Sequence, residues 1–213
     1  MGVFVVGLAL HPPAAAIRHL RLEEMAYATA RAALDDAGVS RGQIDSLTIG
    51  ACDELDGRPI SSMLLTAPAG GYGVDEIKVT DSGASALALA YARFLACESD
   101  LGLVISWCKC SKTDVETVMR FRGDPFYTRP LGIGAVAADA FFAQAVRQEF
   151  GISDEEVASR VVDACARAAK NPRGMAMPVP SAEAVTKSPY DAMPLRSGHR
   201  APYTDGAVAY TVQ

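Results

Sequence analysis

The residues best equipped for chemistry are four in a row: Thr80-Asp81-Ser82-Gly83, two hydroxyls, a carboxyl and a bare backbone before an apolar helix. The free amide N–H groups at a helix start, with the positive end of the helix dipole, favour anionic oxygen. Such a start can steady an oxyanion. The plainer alternative is that Asp81 or Ser82 merely caps the helix. Thiols come next. Cys108-Lys109-Cys110 places two of them on one face of a strand, and Cys52 ends another strand. A zinc site needs four ligands at set spacings, and this pair has no second pair, so no metal is expected. Most buried thiols are inert. A reactive one needs a cationic neighbour, here Lys109 turned inward. His11, His19 and His199 have no placed partner and read as loop or surface histidines.

The element that must position these groups is Asp81 to Cys97, a helix whose one charge past Asp81 is Arg93. A helix apolar all the way round is buried on every side. It is too short for a bilayer, which takes roughly 20 residues. A central helix over 82–97, covered on both faces, is therefore expected. Before it, Leu22 to Ala37 reads as a helix with Leu22, Met25, Ala26, Thr29 and Ala33 on one face and Gly38 as its stop. Ser46–Gly50 and Glu76–Val79 read as strands. Asp53 to Pro59 reads as a polar loop and Ile60 to Leu65 as a short helix. After the central helix, Leu101–Trp107 is a buried strand, and the strand–helix–strand order makes a parallel pair with a crossover helix. Lys109 to Arg129 is a long polar excursion with Arg120, Arg122, Asp124 and Tyr127; long excursions in compact domains are often functional. Helices follow at Gly134 to Phe150 and from the capping box Ser153/Glu156. Gly206–Val212 is a last strand.

Half of the 213 residues are hydrophobic and 21% are charged, which suits a packed core. The net charge of −5, with no Lys/Arg cluster, argues against a nucleic-acid surface. Gly2–Leu8 is apolar but lacks a basic flank and a cleavage site, so it reads as a first strand rather than a signal peptide. Five cysteines, an odd number, point to reduced thiols and a cytoplasmic setting without a membrane span.

Four features, in order across nearly the whole chain, resemble the N-terminal half of a thiolase, most of all the sterol-carrier-protein-X branch. They are Leu22–Ala26 through Ala37-Gly38-Val39 with Ile44–Leu47; Ser82–Leu87 before Ile105–Ser111; Asp124-Pro125 with Arg129–Gly132 and Ala168–Pro172; and Pro194-Leu195 before Asp205–Ala209. The resemblance implies an α/β fold: one thiolase-like domain over 1–213, with a mixed, mostly parallel five-stranded sheet, helices on both faces and a loop excursion at about 109–132.

Thiolases resemble one another in a Cys-x-Ser-Gly motif opening the central helix, where the Cys takes the acyl group. Here Thr80 stands at that position, or the loop is shortened and has no counterpart. A hydroxyl is a poorer nucleophile than a thiolate unless a base activates it. The resemblance also implies a second half that brings a His and a Cys, and this chain ends where that half is expected to begin. A large apolar face would then be left bare, so a partner is expected. The expected partner is a second thiolase-like chain supplying the C-terminal half or the catalytic residues. An OB-fold/zinc-ribbon subunit is a further candidate, and a higher oligomer is expected. On this reading the chain belongs to a heteromeric enzyme acting on acyl-CoA thioesters, by thiolytic, retro-Claisen or retro-aldol cleavage or the reverse. Thr80 and Ser82 are its catalytic candidates, and Asp81, Gly83 and Arg122 its substrate-binding candidates. Coenzyme A thioester is the substrate, with no tightly bound cofactor. The alternative is a non-catalytic scaffold that stabilises a catalytic partner. A polyketide-type ketosynthase is less favoured, because 124–132 looks like the sterol-carrier branch.

Overall fold

Residues 2–175 and 177–213 are described by a computed structural model. The chain opens with strand β1 (Val5–Ala14) and helix α1 (Leu22–Ala37). Strand β2 (Ser46–Gly50) leads through short helices α2 (Asp53–Asp56) and α3 (Ser61–Leu65) to β3 (Asp75–Val79), helix α4 (Gly83–Leu95) and β4 (Gly102–Cys108). Helices α5 (Val115–Arg122), α6 (Ala135–Phe150), α7 (Asp154–Ala168) and α8 (Ala182–Thr186) follow. A ribbon of β5 (Tyr190–Ala192) and β6 (Leu195–Arg196) precedes the last strand, β7 (Asp205–Val212). Two compact units result: residues up to Thr113 with Thr204–Gln213, and Asp114–Tyr203.

The first unit is built on a five-stranded sheet in the order β1-β7-β4-β2-β3. β2 pairs parallel with β3 and β4, while β7 pairs antiparallel with β1 and β4. The sheet is mixed as expected, with parallel pairing in half of its ladders rather than most.

The face read from sequence for α1 packs on one side of the sheet: Leu22, Met25, Ala26, Thr29 and Ala33 are all buried. They meet Leu47, Ile49, Leu103, Ile105, Trp107 and Ala209. The Thr211 hydroxyl donates to the Ala33 carbonyl at 3.1 Å, and an added Cβ at Gly7 would stand 2.4 Å from that same oxygen. Gly7 is therefore the price of seating helix against strand so closely.

α4 takes the other side of the sheet, over β2 and β4, burying Ala86, Ala90, Arg93 and Phe94 against Val104 and Val212. Its remaining side, Ala84, Ala88, Tyr91, Ala92 and Leu95, is exposed. The helix is thus buried on one face, not all round, because among the described residues of its unit no other element covers the second face. The bare surface continues across the sheet. Leu8 and Leu10 pair in register with Tyr210 and Val208, share the α4 side, and are exposed.

The second unit holds three longer helices, and the excursion expected as loop contains one of them. Asp114 caps α5 by accepting from the Thr117 N–H at 3.4 Å, and its second oxygen accepts from the Thr117 hydroxyl at 2.7 Å. Arg200 binds both Glu116, at 3.0 Å, and Asp191, at 3.1 Å, tying α5 to the β5–β6 ribbon and the turn after it. No described helix is long and apolar enough to cross a membrane.

Candidate functional site

Three parallel strands end at one edge of the sheet: β2 at Gly50, β3 at Val79 and β4 at Ser106–Cys108. In open α/β sheets that edge is where ligands bind. It carries Thr80–Gly83 after β3, Ala51–Asp56 after β2 and Cys108–Cys110 after β4.

Glycines fix the position of the α4 start. A Cβ on Gly50 would lie 2.8 Å from the Ser82 carbonyl oxygen, and one on Gly83 would lie 2.8 Å from the Ser106 Cβ. Only bare backbone lets the first turn of α4 rest directly on β2 and β4. Ser82 is the N-cap: its Oγ accepts from the Ser85 N–H at 3.3 Å. The Ser85 hydroxyl donates to Asp81 Oδ2 at 2.5 Å. Thr80, Asp81 and Ser82 are exposed and Gly83 half-buried. The structure thus gathers four of the five residues singled out from sequence into one exposed turn. The capping role expected of Ser82 is the one seen: with the Ser85 proton given to Asp81, the Ser82 hydroxyl faces the Ser85 Oγ as donor at 3.2 Å. Arg122 belongs to the second unit, in the last turn of α5, and is exposed.

A partly buried layer of charged side chains, not foreseen from sequence, underlies this edge. Lys78, near the end of β3, donates to Asp53 and, at 2.8 Å, to the Ser61 hydroxyl. Asp53 is desolvated, which raises its pKa, but hydrogen bonds from Lys78 and Ser61 outweigh this and hold it below the usual carboxylate range. Asp205, wholly buried at the start of β7, accepts from the Ile17 N–H at 2.8 Å, the Ser111 N–H at 2.9 Å and the Ser111 hydroxyl at 2.7 Å. Asp56 accepts from the Lys109 N–H at 2.7 Å.

Lys109 does point inward, but its ammonium is spent on the Leu20 carbonyl. It does not activate the thiols. Burial pushes Cys108 up to about 12 and also raises Cys110. Cys110 donates to the Thr204 carbonyl at 3.3 Å, and Cys52 to Glu54 at 3.1 Å. All five cysteines are free thiols. Among the described residues no group of three or more His, Cys, Asp or Glu side chains is arranged to hold a metal ion. His199 lies in the second unit, where its Nδ1 accepts from the Arg196 N–H at 3.3 Å; burial lowers its pKa.

No protein-family model and no curated protein matches the sequence. Solved structures do. The Ltp2-ChsH2(DUF35) aldolase superposes with a TM-score of 0.77 at 18% identity, over 99% of this chain and 55% of the other. The fold is the thiolase fold. Acetyl-CoA acetyltransferase from Syntrophomonas wolfei gives a TM-score of 0.72 at 19% identity, over 99% of this chain and 64% of that one. Human mitochondrial 3-ketoacyl-CoA thiolase gives 0.73 at 17%, over 99% and 65%. The chain therefore spans 55–65% of the length of these thiolase-fold structures.

Proposed function

We propose that this chain is one subunit of a heteromeric thiolase-type enzyme that makes or breaks a carbon–carbon bond next to an acyl-CoA carbonyl. The observation that carries this is a thiolase fold whose first unit leaves the outer face of α4, and Leu8 and Leu10 beside it, uncovered. A contiguous apolar surface of that kind marks an interface. The reading supplies its cover: a second thiolase-like chain bringing the C-terminal half, with a His and a Cys that act as acid and base. The aldolase match is itself named for two components, Ltp2 and ChsH2(DUF35), which favours an assembly of unlike chains. An OB-fold/zinc-ribbon subunit is a further partner on the same reading, and the setting is cytoplasmic.

In the proposed reaction this chain contributes the first turn of α4. The free N–H groups beyond Ser82 and the helix dipole stabilise the thioester oxygen as it gains charge. The Ser82 or Thr80 hydroxyl donates to the same oxygen. Asp81 orients Ser85 beside them, and Gly83 keeps the turn close to the sheet. No cofactor is held between turnovers. Acyl transfer through Cys108 or Cys110 is disfavoured, because burial holds both thiols neutral. That leaves a retro-aldol or retro-Claisen step using a base and an oxyanion site, or a thiol on the partner.

The test is co-expression with candidate partner chains, followed by assay of the purified complex on 3-ketoacyl-CoA and 3-hydroxyacyl-CoA thioesters. Ser82→Ala is expected to lower kcat at least tenfold, while Cys108→Ala and Cys110→Ala leave it within twofold. Loss of activity in a folded cysteine variant would move the nucleophile to that thiol. The scaffold reading is the alternative, and the engagement of Ser82 as an N-cap favours it. It wins if the complex turns over thioesters and Ser82→Ala changes only thermal stability.

A further inference from the structure

Asp56 is a buried acid with half of its carboxyl unsatisfied. It closes α2 and is 3% exposed. Oδ1 accepts from the Lys109 N–H at 2.7 Å, whereas Oδ2 has no hydrogen-bond partner. The Trp107 indole N–H is likewise without a partner; it lies beside the carboxyl and favours its charged form without reaching hydrogen-bond geometry. The charges that face Asp56 do not neutralise it. Lys78 is engaged by Asp53 and Ser61, Lys109 Nζ is engaged by the Leu20 carbonyl, and Asp53 repels. Cys108 and Cys110 are neutral thiols. A buried carboxylate with no committed cation is costly, and protonation removes the cost of the charge.

We infer that Asp56 is a positioning residue whose protonation holds the β2–α2 turn against the end of β4, and whose ionisation loosens that turn. The two segments it joins lie along the same sheet edge as Thr80–Gly83, so the latch makes the edge pH-sensitive. Desolvation lifts this carboxyl to about 6, within the range a cell can traverse. The inference is argued from the burial of Asp56 and its unpartnered Oδ2 and involves no substrate, so it stands or falls separately from the acyl-CoA reading.

Trp107 is the sole tryptophan of the chain and reports on its neighbour directly. The full chain, in whatever assembly it forms, is prepared with 5-fluorotryptophan incorporated into this chain alone. Its single fluorine resonance is then followed from pH 4.5 to 8, alongside amide exchange across residues 53–58 corrected for intrinsic chemistry. In the wild type the resonance is expected to shift with a midpoint near pH 6, with exchange rising above it. In Asp56→Asn the resonance should not move. In Asp53→Asn the midpoint should fall, because a repelling charge is gone and Lys78 is released; this variant serves if Asp56→Asn does not fold. A static resonance in the wild type, the same midpoint in Asp56→Asn, or exchange that ignores the midpoint would each overturn the inference.

Discussion

At Gly83 a single hydrogen separates a seated helix from a displaced one. Alanine there would place its Cβ 2.8 Å from the Ser106 Cβ and 3.0 Å from its Oγ. Neither neighbour is the tip of a flexible chain, so backbone must shift. We expect Gly83→Ala to cost about 1–3 kcal/mol in urea denaturation. Adding Ser106→Gly should recover part of that loss, and a double variant no better than the sum of the two singles would refute the close contact. Ser82→Ala should cost about 1 kcal/mol through the lost cap. The sequence picked out this turn because hydroxyl, carboxyl and glycine precede an apolar run. It gave no sign of Asp56. Its burial comes from the Lys109 amide and the Trp107 ring, some fifty positions away in the chain, and a polar stretch before Gly57 is indistinguishable from a solvated loop. Lys109 was legible only as a conditional: if inward, then near the thiols. It is inward, but a backbone carbonyl claims it first.

Elements with strong periodicity were readable, and those held by side-chain partners were not. The α1 face was recognisable because its apolar residues recur at helical spacing. Helix α5 was not, since Glu116, Arg120 and Arg122 make Val115–Arg122 look like loop; its stability comes from the Asp114 cap and the Glu116–Arg200 pair. The β5–β6 ribbon is too short to show alternation. The β2 and β4 approaches are bound by another such device. Asp45 accepts from the Ser99 hydroxyl at 2.6 Å and from the Asp100 and Leu101 N–H groups at 2.7 and 3.3 Å. Desolvation raises its pKa, yet these hydrogen bonds together bring it below 3.8. The sign follows: a carboxyl depressed in the folded state adds stability above its unfolded pKa, and that stability is lost as pH falls through the folded value. Asp45→Asn should therefore lower the Tm at pH 7, with the gap from wild type narrowing below pH 4. A gap that stays constant down to pH 2.5 would show that the carboxylate charge is not what the three donors recognise.

At the scale of the molecule, a helix without a charged face explains itself only if something covers it. The sequence suggested a rod enclosed on all sides. In the structure its own sheet covers one side, and the other side continues into Leu8 and Leu10. Leu95 and Leu10 both belong to the exposed apolar residues rather than to the buried core. Leu95 is 52% exposed and Leu10 41%. Leu95→Glu and Leu10→Lys should therefore leave the circular dichroism spectrum and the melting of the isolated fold unchanged. If that surface binds the second chain, the same changes should weaken co-purification at least tenfold, because a charge buried at an interface without a partner is strongly unfavourable. Alone, the wild-type chain should self-associate in light scattering, and Leu95→Glu should reduce that tendency. A wild-type chain that stays monomeric at high concentration, or a Leu95→Glu chain that still binds its partner at full strength, would mean that the apolar side of α4 is an ordinary wetted surface. The partner would then have to dock elsewhere.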